Sequence, residues 1–184
     1  MKLLSFRNLL LILAISTMSL ISCNKDDEVT LDFEITLPEG WIGTVRGNQD
    51  VVYSAARIKQ FENDTIGEWL TVWKQALPDG YNLNSYYNAI RSQIVSYDNV
   101  YYLSLIGEKD TTINSTNFKR LITNELEKYV TSKQDTVDLN RTRTYYFFLE
   151  KNNGYYFTMS CQDTAYYRYK PVFDGIMSSF HYKY

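Results

Sequence analysis

Residues 144–161, TYYFFLEKNNGYYFTMSC, carry the clearest secondary-structure signal in the chain. Two runs rich in aromatic residues flank the segment Asn152-Asn153-Gly154, and Asn-Gly is a dipeptide that tight hairpin turns prefer. The sequence therefore predicts a β-hairpin that turns at these three residues. Successive residues of a strand point to opposite faces, and both runs carry aromatic residues at successive positions. We therefore expect both strands to lie centrally in a sheet that is covered on each face.

Six other segments have the alternation, or the β-branched and aromatic content, of strands. The stronger four span residues 31–36, 50–58, 68–74 and 100–106, and the weaker two span residues 117–123 and 128–131. Gly107 is expected to end the fourth of the stronger strands. Proline and glycine mark turns at residues 37–41 and 78–80, because proline presets its backbone angle and glycine permits a positive one.

Two segments have the spacing of amphipathic helices. Between Asn84 and Tyr97, apolar side chains recur at intervals of three and four residues, and Asn82 or Asn84 is placed to cap the helix start. Pro171 suits the first turn of a second helix. The inner face of that helix would carry Val172, Phe173, Ile176 and Met177. The order of strands, helix, strands and helix predicts an α+β fold in which helices cover an antiparallel sheet.

Two short motifs connect this pattern with a known family. Residues 33–41, FEITLPEGW, place a proline-glycine-tryptophan turn after the first strand, and residues 173–180, FDGIMSSF, close the second helix. Together with the helix after the early strands, they resemble the PsbP-like fold, which the Ran-binding Mog protein and various bacterial lipoproteins share. The resemblance implies an α/β/α sandwich around a central antiparallel sheet. It implies no catalytic residue, since members of this family mainly bind or stabilise partner proteins.

The first 23 residues have the three parts of a secretory signal. Two basic residues give a positive start, residues 9–15 form an apolar centre, and Leu20-Ile21-Ser22 leads to Cys23. This ending resembles a lipobox, which implies that residues 1–22 are removed and that Cys23 carries a lipid. The apolar run falls short of the ~20 residues that a membrane-spanning helix needs. An ordinary cleaved signal and an uncleaved anchor are the alternatives.

The residues after Cys23 indicate where the anchored protein lies. Residues 24–28, NKDDE, resemble the surface-export signal of Bacteroidota-type lipoproteins, in which acidic residues follow a lysine. We therefore predict a lipid anchor in the outer membrane and a surface-exposed domain. A periplasm-facing anchor with a solvated tether is the alternative. The predicted organisation is a signal peptide at 1–22, a flexible acidic tether at 23–30 and a single PsbP-like α+β domain at 31–184.

Charge and composition exclude several classes of function. After removal of residues 1–22, the remaining 162 residues carry a net charge of −4, and a mildly acidic chain lacks the electrostatic footprint for binding nucleic acid. One histidine, His181, and one cysteine besides Cys23 are too few for most transition-metal sites. Cys161 follows an apolar strand, so we expect a buried, structural thiol. We expect neither a metal nor another cofactor.

No set of residues in the sequence predicts catalysis. The chain lacks a glycine-rich phosphate loop and a nucleophile elbow. Glu125 and Glu127 are a carboxylate pair, but a glycosidase needs two acids that face each other across a cleft. Acids this close in one segment are expected to form a solvated face. The chain is therefore predicted not to be an enzyme, and a hydrolase with two convergent acids is kept as the third hypothesis.

Aromatic residues are the main candidates for binding a partner. The chain has 17 tyrosines, and tyrosine offers a large contact area at low entropic cost. The candidate contact patch consists of Tyr166, Tyr167, Arg168 and Tyr169. Filling of the core is the alternative role for the tyrosines.

Two hypotheses for a binding function follow. The first is a membrane-anchored, non-enzymatic binding or assembly module of the cell envelope, with an unknown envelope protein as partner. The alternative is a surface lipoprotein that binds a glycan through exposed aromatic residues. The alternative requires solvent-facing tryptophans, which are Trp41, Trp69 and Trp73.

An Asp-Thr pattern occurs four times in the chain. It resembles the O-glycosylation motif of exported proteins in the same bacterial group, and turn or cap chemistry is the alternative, because both favour aspartate and threonine. The predicted O-glycosylation sites are Thr65, Thr111, Thr136 and Thr164.

Acylation of Cys23 is directly testable. Metabolic labelling with an alkyne fatty acid should mark the native protein, and Cys23→Ser should abolish both the label and the membrane fractionation, because the thiol is the attachment point. Cys161→Ser is the matched control and should keep the label. A Cys23→Ser protein that still carries the fatty acid would contradict the lipobox.

Overall fold

The computed structural model describes residues 30–46, 50–57, 67–96, 100–130 and 135–183. The predicted signal peptide, the lipid-attachment residue Cys23, the tether up to residue 29 and the candidate modification site Thr65 lie outside these ranges. Residues 31–184 cluster into one compact unit. None of the helices in the described ranges combines the length and apolar character that a membrane crossing needs.

Nine strands and two helices, with one short 3-10 turn at Asp163–Ala165, make up the described part of the chain. In chain order they are β1 (Phe33–Glu34), β2 (Trp41–Val45), β3 (Val51–Arg57), β4 (Trp69–Ala76), α1 (Leu83–Ser96), β5 (Val100–Ile113), β6 (Thr116–Val130), β7 (Thr136–Glu150), β8 (Asn153–Gln162), α2 (Tyr166–Ser178) and β9 (His181–Tyr182). This is a mostly antiparallel sheet with two helices, as the α+β prediction expected.

Seven of the strands form one sheet in the order β2-β3-β4-β8-β7-β6-β5, and every neighbouring pair is antiparallel. The hairpin of β7 and β8 therefore lies in the middle of the sheet, as its aromatic content predicted. Strands β1 and β9 pair separately, with Phe33 opposite Tyr182. The small pair joins the start of the described chain to its end.

The two helices pack on opposite faces of the sheet. The residues of β7 show this, since alternate residues of a strand point to opposite faces. Tyr145 and Phe147 belong to the cluster that α1 covers, and Tyr146 and Phe148 belong to the cluster that contains α2. We call these surfaces the α1 face and the α2 face. The α1 residues in the first cluster are Tyr86, Tyr87 and Ile90. The α2 residues in the second cluster are Tyr166, Tyr169, Phe173, Ile176 and Met177.

The hairpin turn is shorter than predicted, beginning one residue earlier and ending two residues earlier. Glu150 pairs with Asn153, so the two turn residues are Lys151 and Asn152, and Lys151 has a φ of 52°. Gly154 is not a turn residue but part of β8. A Cβ atom on Gly154 would lie 2.6 Å from the Tyr86 ring. The glycine therefore permits the close approach of α1 to the sheet rather than the turn.

The long hairpin of β5 and β6 also differs from the prediction. Gly107 does not end a strand, because bulges between Tyr102 and Ser104 and between Leu105 and Gly107 let β5 continue to Ile113. The two weak segments at 117–123 and 128–131 belong largely to one strand, β6. Pairing with β5 on one side and β7 on the other gives this strand its length, and local composition does not reveal such pairing.

The first part of the described chain also differs from the prediction. Only Phe33–Glu34 of residues 31–36 forms a strand, and residues 41–45 form the edge strand β2, where a turn was predicted to end. Most side chains of β2 are exposed, so its sequence lacks the alternation that marks a half-buried strand. The other early predictions, β3, β4 and α1, are confirmed within two residues, and Asn82 caps α1 by accepting a hydrogen bond from the Ser85 N–H at 2.9 Å.

Helix α2 begins earlier than predicted. It starts at Tyr166, so Pro171 lies inside the helix instead of in its first turn. Pro171 has no N–H to donate to the carbonyl of Tyr167 one turn earlier, and both residues are exposed. The first turn of α2 was not predicted because its buried residues are tyrosines, which are also common on protein surfaces.

Gly154→Ala should destabilise the protein by about 1–3 kcal/mol, because the added methyl group overlaps the Tyr86 ring and forces α1 away from the sheet. Gly175→Ala is the matched control, since no atom lies within 4 Å of its Cβ position in α2, and it should stabilise the protein by up to about 1 kcal/mol. Urea unfolding followed by tryptophan fluorescence measures both. Equal effects of the two substitutions would contradict the role assigned to Gly154.

Candidate functional site

A cleft of about 240 Å³ opens on the α1 face, between the C-terminal half of α1 and the sheet. We call it the α1 cleft. Three residues of α1 form one side, and residues of β4, β6, β7 and β8 form the floor and the other side. The lining residues are Trp69, Thr71, Trp73, Ile90, Gln93, Ile94, Glu125, Arg143, Tyr145, Tyr156 and Thr158.

The cleft exists because α1 covers only part of its face. Tyr86, Tyr87 and Ile90 are buried against the sheet, whereas Val95, near the end of the helix, is 44% exposed. Beyond the helix, the sheet face is left without a covering helix among the described residues. Strand β4 crosses this region, and its alternation directs Trp69, Thr71 and Trp73 to the α1 face while Leu70 and Val72 fill the opposite core.

Aromatic rings form one wall of the α1 cleft. Trp73 and Tyr156 are cross-strand neighbours whose rings stack with centroids 5.6 Å apart and an interplanar angle of 7°. Trp69 lies further along the same strand and is 36% exposed. The guanidinium carbons of Arg141 and Arg143 lie 5.5 and 5.7 Å from its ring centroid, so cation–π contacts hold the ring in place.

Two ion pairs lie behind this wall, and the first is buried. The Glu125 side chain is 2% exposed, and its Oε2 atom lies 2.5 Å from Nη1 of Arg143. Its other oxygen accepts hydrogen bonds of 2.8 Å from the Thr123 hydroxyl and from the Tyr145 hydroxyl. The carboxylate is therefore satisfied from three side chains.

The second ion pair is partly exposed. Oε2 of Glu127 lies 2.6 Å from Nε of Arg141 and 3.5 Å from Nη2 of Arg143. Arg141 also donates a hydrogen bond of 3.2 Å to the Ser160 hydroxyl. Two arginines and two glutamates thus form a network with no net charge. The sequence prediction of a solvated face is wrong for Glu125, because pairing with an arginine of β7 allows it to be buried, whereas the Glu127 side chain remains 32% exposed.

Burial and charge shift the titration of the groups around the cleft. Burial, and then the nearby Glu125, raises the pKa of Tyr145 well above its usual value, so its hydroxyl stays protonated. Burial alone would lower the pKa of Arg143, but the negative charges around it, chiefly Glu125, raise it overall. The pKa of Arg141 is lowered, mainly by burial. Around neutral pH, Tyr145 therefore remains a hydrogen-bond donor.

Cys161 is a buried thiol, as predicted. It lies in the α2-face core, and burial is the main reason why its pKa is raised to about 12. A thiol with this pKa is protonated at neutral pH and is a poor nucleophile. Among the described residues, no group of three or more histidine, cysteine, aspartate or glutamate residues is placed to hold a metal ion.

The structure does not bring the predicted contact patch together as a surface. Tyr167 is 86% exposed and Arg168 is exposed, whereas Tyr166 and Tyr169 are buried. The cause is the helical spacing of α2, which turns the first and fourth residues of the segment towards the core. Two of the four patch residues, Tyr166 and Tyr169, therefore fill the core, which is the alternative role that the sequence analysis gave the tyrosines.

The three tryptophans separate in the structure. Trp69 and Trp73 both line the α1 cleft, but Trp41 lies on the α2 face with its ring edge-on to Phe173, 6.4 Å between centroids. None of the three predicted modification sites that lie within the described residues lines the cleft. Thr136 and Thr164 are exposed and Thr111 is half-buried, and modification of these residues stays a prediction.

Sequence reasoning missed the arginines of β7. The signal was present as Glu-x-Glu at 125–127 and Arg-x-Arg at 141–143, two charged pairs with the period of a strand. Recognising them as partners requires the pairing of β6 with β7, in which Glu125 lies opposite Arg141.

Solved structures resemble this fold. The solution structure of cyanobacterial PsbP (CyanoP) from Synechocystis sp. PCC 6803 has a TM-score of 0.57 at 19% identity, over 82% of this chain and 86% of that one. The crystal structure of LpqN, which is involved in cell envelope biogenesis of Mycobacterium tuberculosis, has a TM-score of 0.56 at 8% identity, over 83% of each chain. PA94 from Pseudomonas aeruginosa has a TM-score of 0.51 at 8% identity, over 81% of this chain and 96% of that one.

These similarities show that the chain has a PsbP-like fold, and at such identities they show the fold alone. No protein-family model matches the sequence, and no curated protein matches it either. The fold resemblance that the two short motifs suggested is therefore confirmed.

Glu125→Gln should destabilise the protein by about 3 kcal/mol, because it leaves the Arg143 charge buried without its main partner. Asp110→Asn is the matched control, since it removes an aspartate that is 78% exposed and paired with Lys119, and it should cost under about 1 kcal/mol. Both values come from urea unfolding at neutral pH. Similar losses for the two substitutions would show that the Glu125–Arg143 pair is not effectively buried.

Proposed function

We propose that the protein is a non-enzymatic binding or assembly module of the cell envelope that contacts its partner through the α1 cleft. Its lipid anchor is Cys23, and its domain, residues 31–184, is an α/β/α sandwich exposed at the surface of the outer membrane. Placement of α1 and α2 on opposite faces of the sheet supports the three-layer description. The lipobox-like sequence at residues 20–23 supports the anchor.

The observation that carries the proposal is an open, aromatic-walled cleft whose lining acid, Glu125, is already engaged by an arginine. Trp69, Trp73 and Tyr156 offer the large rigid surfaces that recognition sites use. A general acid or base must exchange its proton with a substrate. Glu125 is instead held by Arg143 and two hydroxyl donors, which supports binding rather than catalysis.

The similarity in fold to an envelope protein also supports the proposal. LpqN has this fold and is involved in cell envelope biogenesis of Mycobacterium tuberculosis. The fold is thus compatible with a role in an envelope. For this chain, that role is a proposal resting on the anchor sequence and the cleft.

The glycan alternative is favoured by the same cleft, because two of the three tryptophans that it requires line it. Trp41 does not add to this cleft, since it lies partly buried on the α2 face with its ring edge-on to Phe173.

Site-specific crosslinking in intact cells tests the proposal. A photoreactive residue in place of the exposed Gln93, at the rim of the cleft, should give one crosslinked product of defined mass in the membrane fraction. The same residue in place of Tyr167, on the other face of the sheet, is the matched control and should give none.

Equal products from both positions, or none from Gln93, would contradict the proposal. A hydrolytic activity of the purified lipoprotein that Glu125→Gln abolishes would also overturn its non-enzymatic part.

A further inference from the structure

The charges around the α1 cleft balance each other, and this restricts what the cleft accepts. Arg143 lines the cleft with a side chain that is 13% exposed, and Glu125 neutralises it from behind at 2.5 Å. Arg141 is paired in the same way with Glu127. An anionic ligand would compete with these carboxylates for the arginines, and a cationic ligand would lie beside arginines. An uncharged ligand avoids both penalties.

The polar groups in the cleft favour a ligand that carries several hydroxyl groups. Gln93 offers an amide that both donates and accepts, and Thr71 and Thr158 offer hydroxyls that do the same. Arg143 adds N–H donors. A ligand hydroxyl is also donor and acceptor at once, so it fits these groups without displacing an ion pair. An aliphatic chain would instead remove water from these groups without replacing its hydrogen bonds.

The aromatic wall favours a flat ring with one apolar face. Trp69 is fixed by two guanidinium groups and still has 36% of its surface exposed, so it is a preorganised platform. Trp73, stacked on Tyr156, lies four residues further along the strand and faces the same side. The C–H groups of a pyranose form such an apolar face, and its hydroxyls point outwards from the ring edge. Packing of that face on an aromatic ring buries apolar area while the hydroxyls remain free to hydrogen-bond.

We infer that the α1 cleft binds a single uncharged pyranose unit of a glycan, stacked on Trp69 and hydrogen-bonded by Gln93 and Arg143. The cleft volume, about 240 Å³, is below the usual range for larger ligands and suits one sugar ring with its hydroxyls. This inference rests on the proposed function, because it names the ligand class of the same cleft.

The experiment uses the purified lipidated protein in a detergent without a sugar headgroup. The probes are oligosaccharides in matched pairs, methyl-esterified oligogalacturonate against oligogalacturonate and chitin oligomers against chitosan oligomers, together with galacto-, gluco-, manno- and xylo-oligosaccharides. Titration calorimetry measures each affinity. At least one uncharged probe should bind, and it should bind more tightly than its charged counterpart where the pair exists.

Three variants locate the site. Trp69→Ala should weaken binding by about tenfold or more, because it removes the stacking platform. Gln93→Trp should weaken it similarly by filling the mouth of the cleft, and because Gln93 is exposed, this variant tests the site without altering the core. Tyr167→Ala removes an exposed aromatic ring on the other face and should leave the affinity unchanged.

The inference is overturned if no uncharged probe binds, if a charged probe binds more tightly than its uncharged counterpart, or if the two cleft variants bind as the wild type does. Crosslinking from Gln93 to an envelope protein, combined with no saccharide binding, would keep the proposed function and overturn only this inference. Absence of both would overturn the two together.

Discussion

Aromatic side chains on both faces of the central hairpin hold the layers of this protein together. Phe147 contacts Tyr87 of α1 edge-on, with centroids 5.2 Å apart, and Phe148 contacts Phe180, directly after α2, at 5.1 Å. Both phenylalanines are fully buried. Because neighbouring residues of a strand face opposite sides, a slip of the register by one residue would exchange the two cores. The same alternation therefore fixes the sheet register and the position of both helices.

The α1 cleft is a consequence of how that face is covered. Helix α1 is long enough to cover Leu121, Tyr145 and Phe147, and the sheet continues beyond it. There the same strands present charged side chains instead of phenylalanines. Ions in a partly dry environment are stable only when they are paired, so Glu125 forms an ion pair with Arg143, its diagonal neighbour on the adjacent strand. An aromatic wall on β4 and neutralised charges on β6 and β7 then meet in one concavity, which neither element forms alone.

The differences between prediction and structure share one physical origin, which is contact between residues distant in the chain. Asn-Gly at 153–154 has the local chemistry of a turn, yet Gly154 lies in β8. A glycine is needed there because the Tyr86 ring leaves no room for a side chain. Gly107 has the local character of a strand end, yet β5 continues through two bulges because β6 pairs with it along its whole length. Tyr166 and Tyr169 suit a surface patch by composition, yet α2 turns both into the core.

Local sequence patterns were sufficient to predict the α+β class, the central hairpin, the cap of α1 at Asn82 and the buried Cys161. Strand alternation, helix capping and apolar flanking residues all act over a few residues of the chain. Motifs at the two ends of the domain were sufficient for the PsbP-like fold. The cleft was decided only in three dimensions, because Trp69 on β4 is brought beside Glu125 on β6 and Arg143 on β7, which come more than fifty residues later in the chain. No local pattern encodes which strands become neighbours, and the pairing of the charges depends on that neighbourhood.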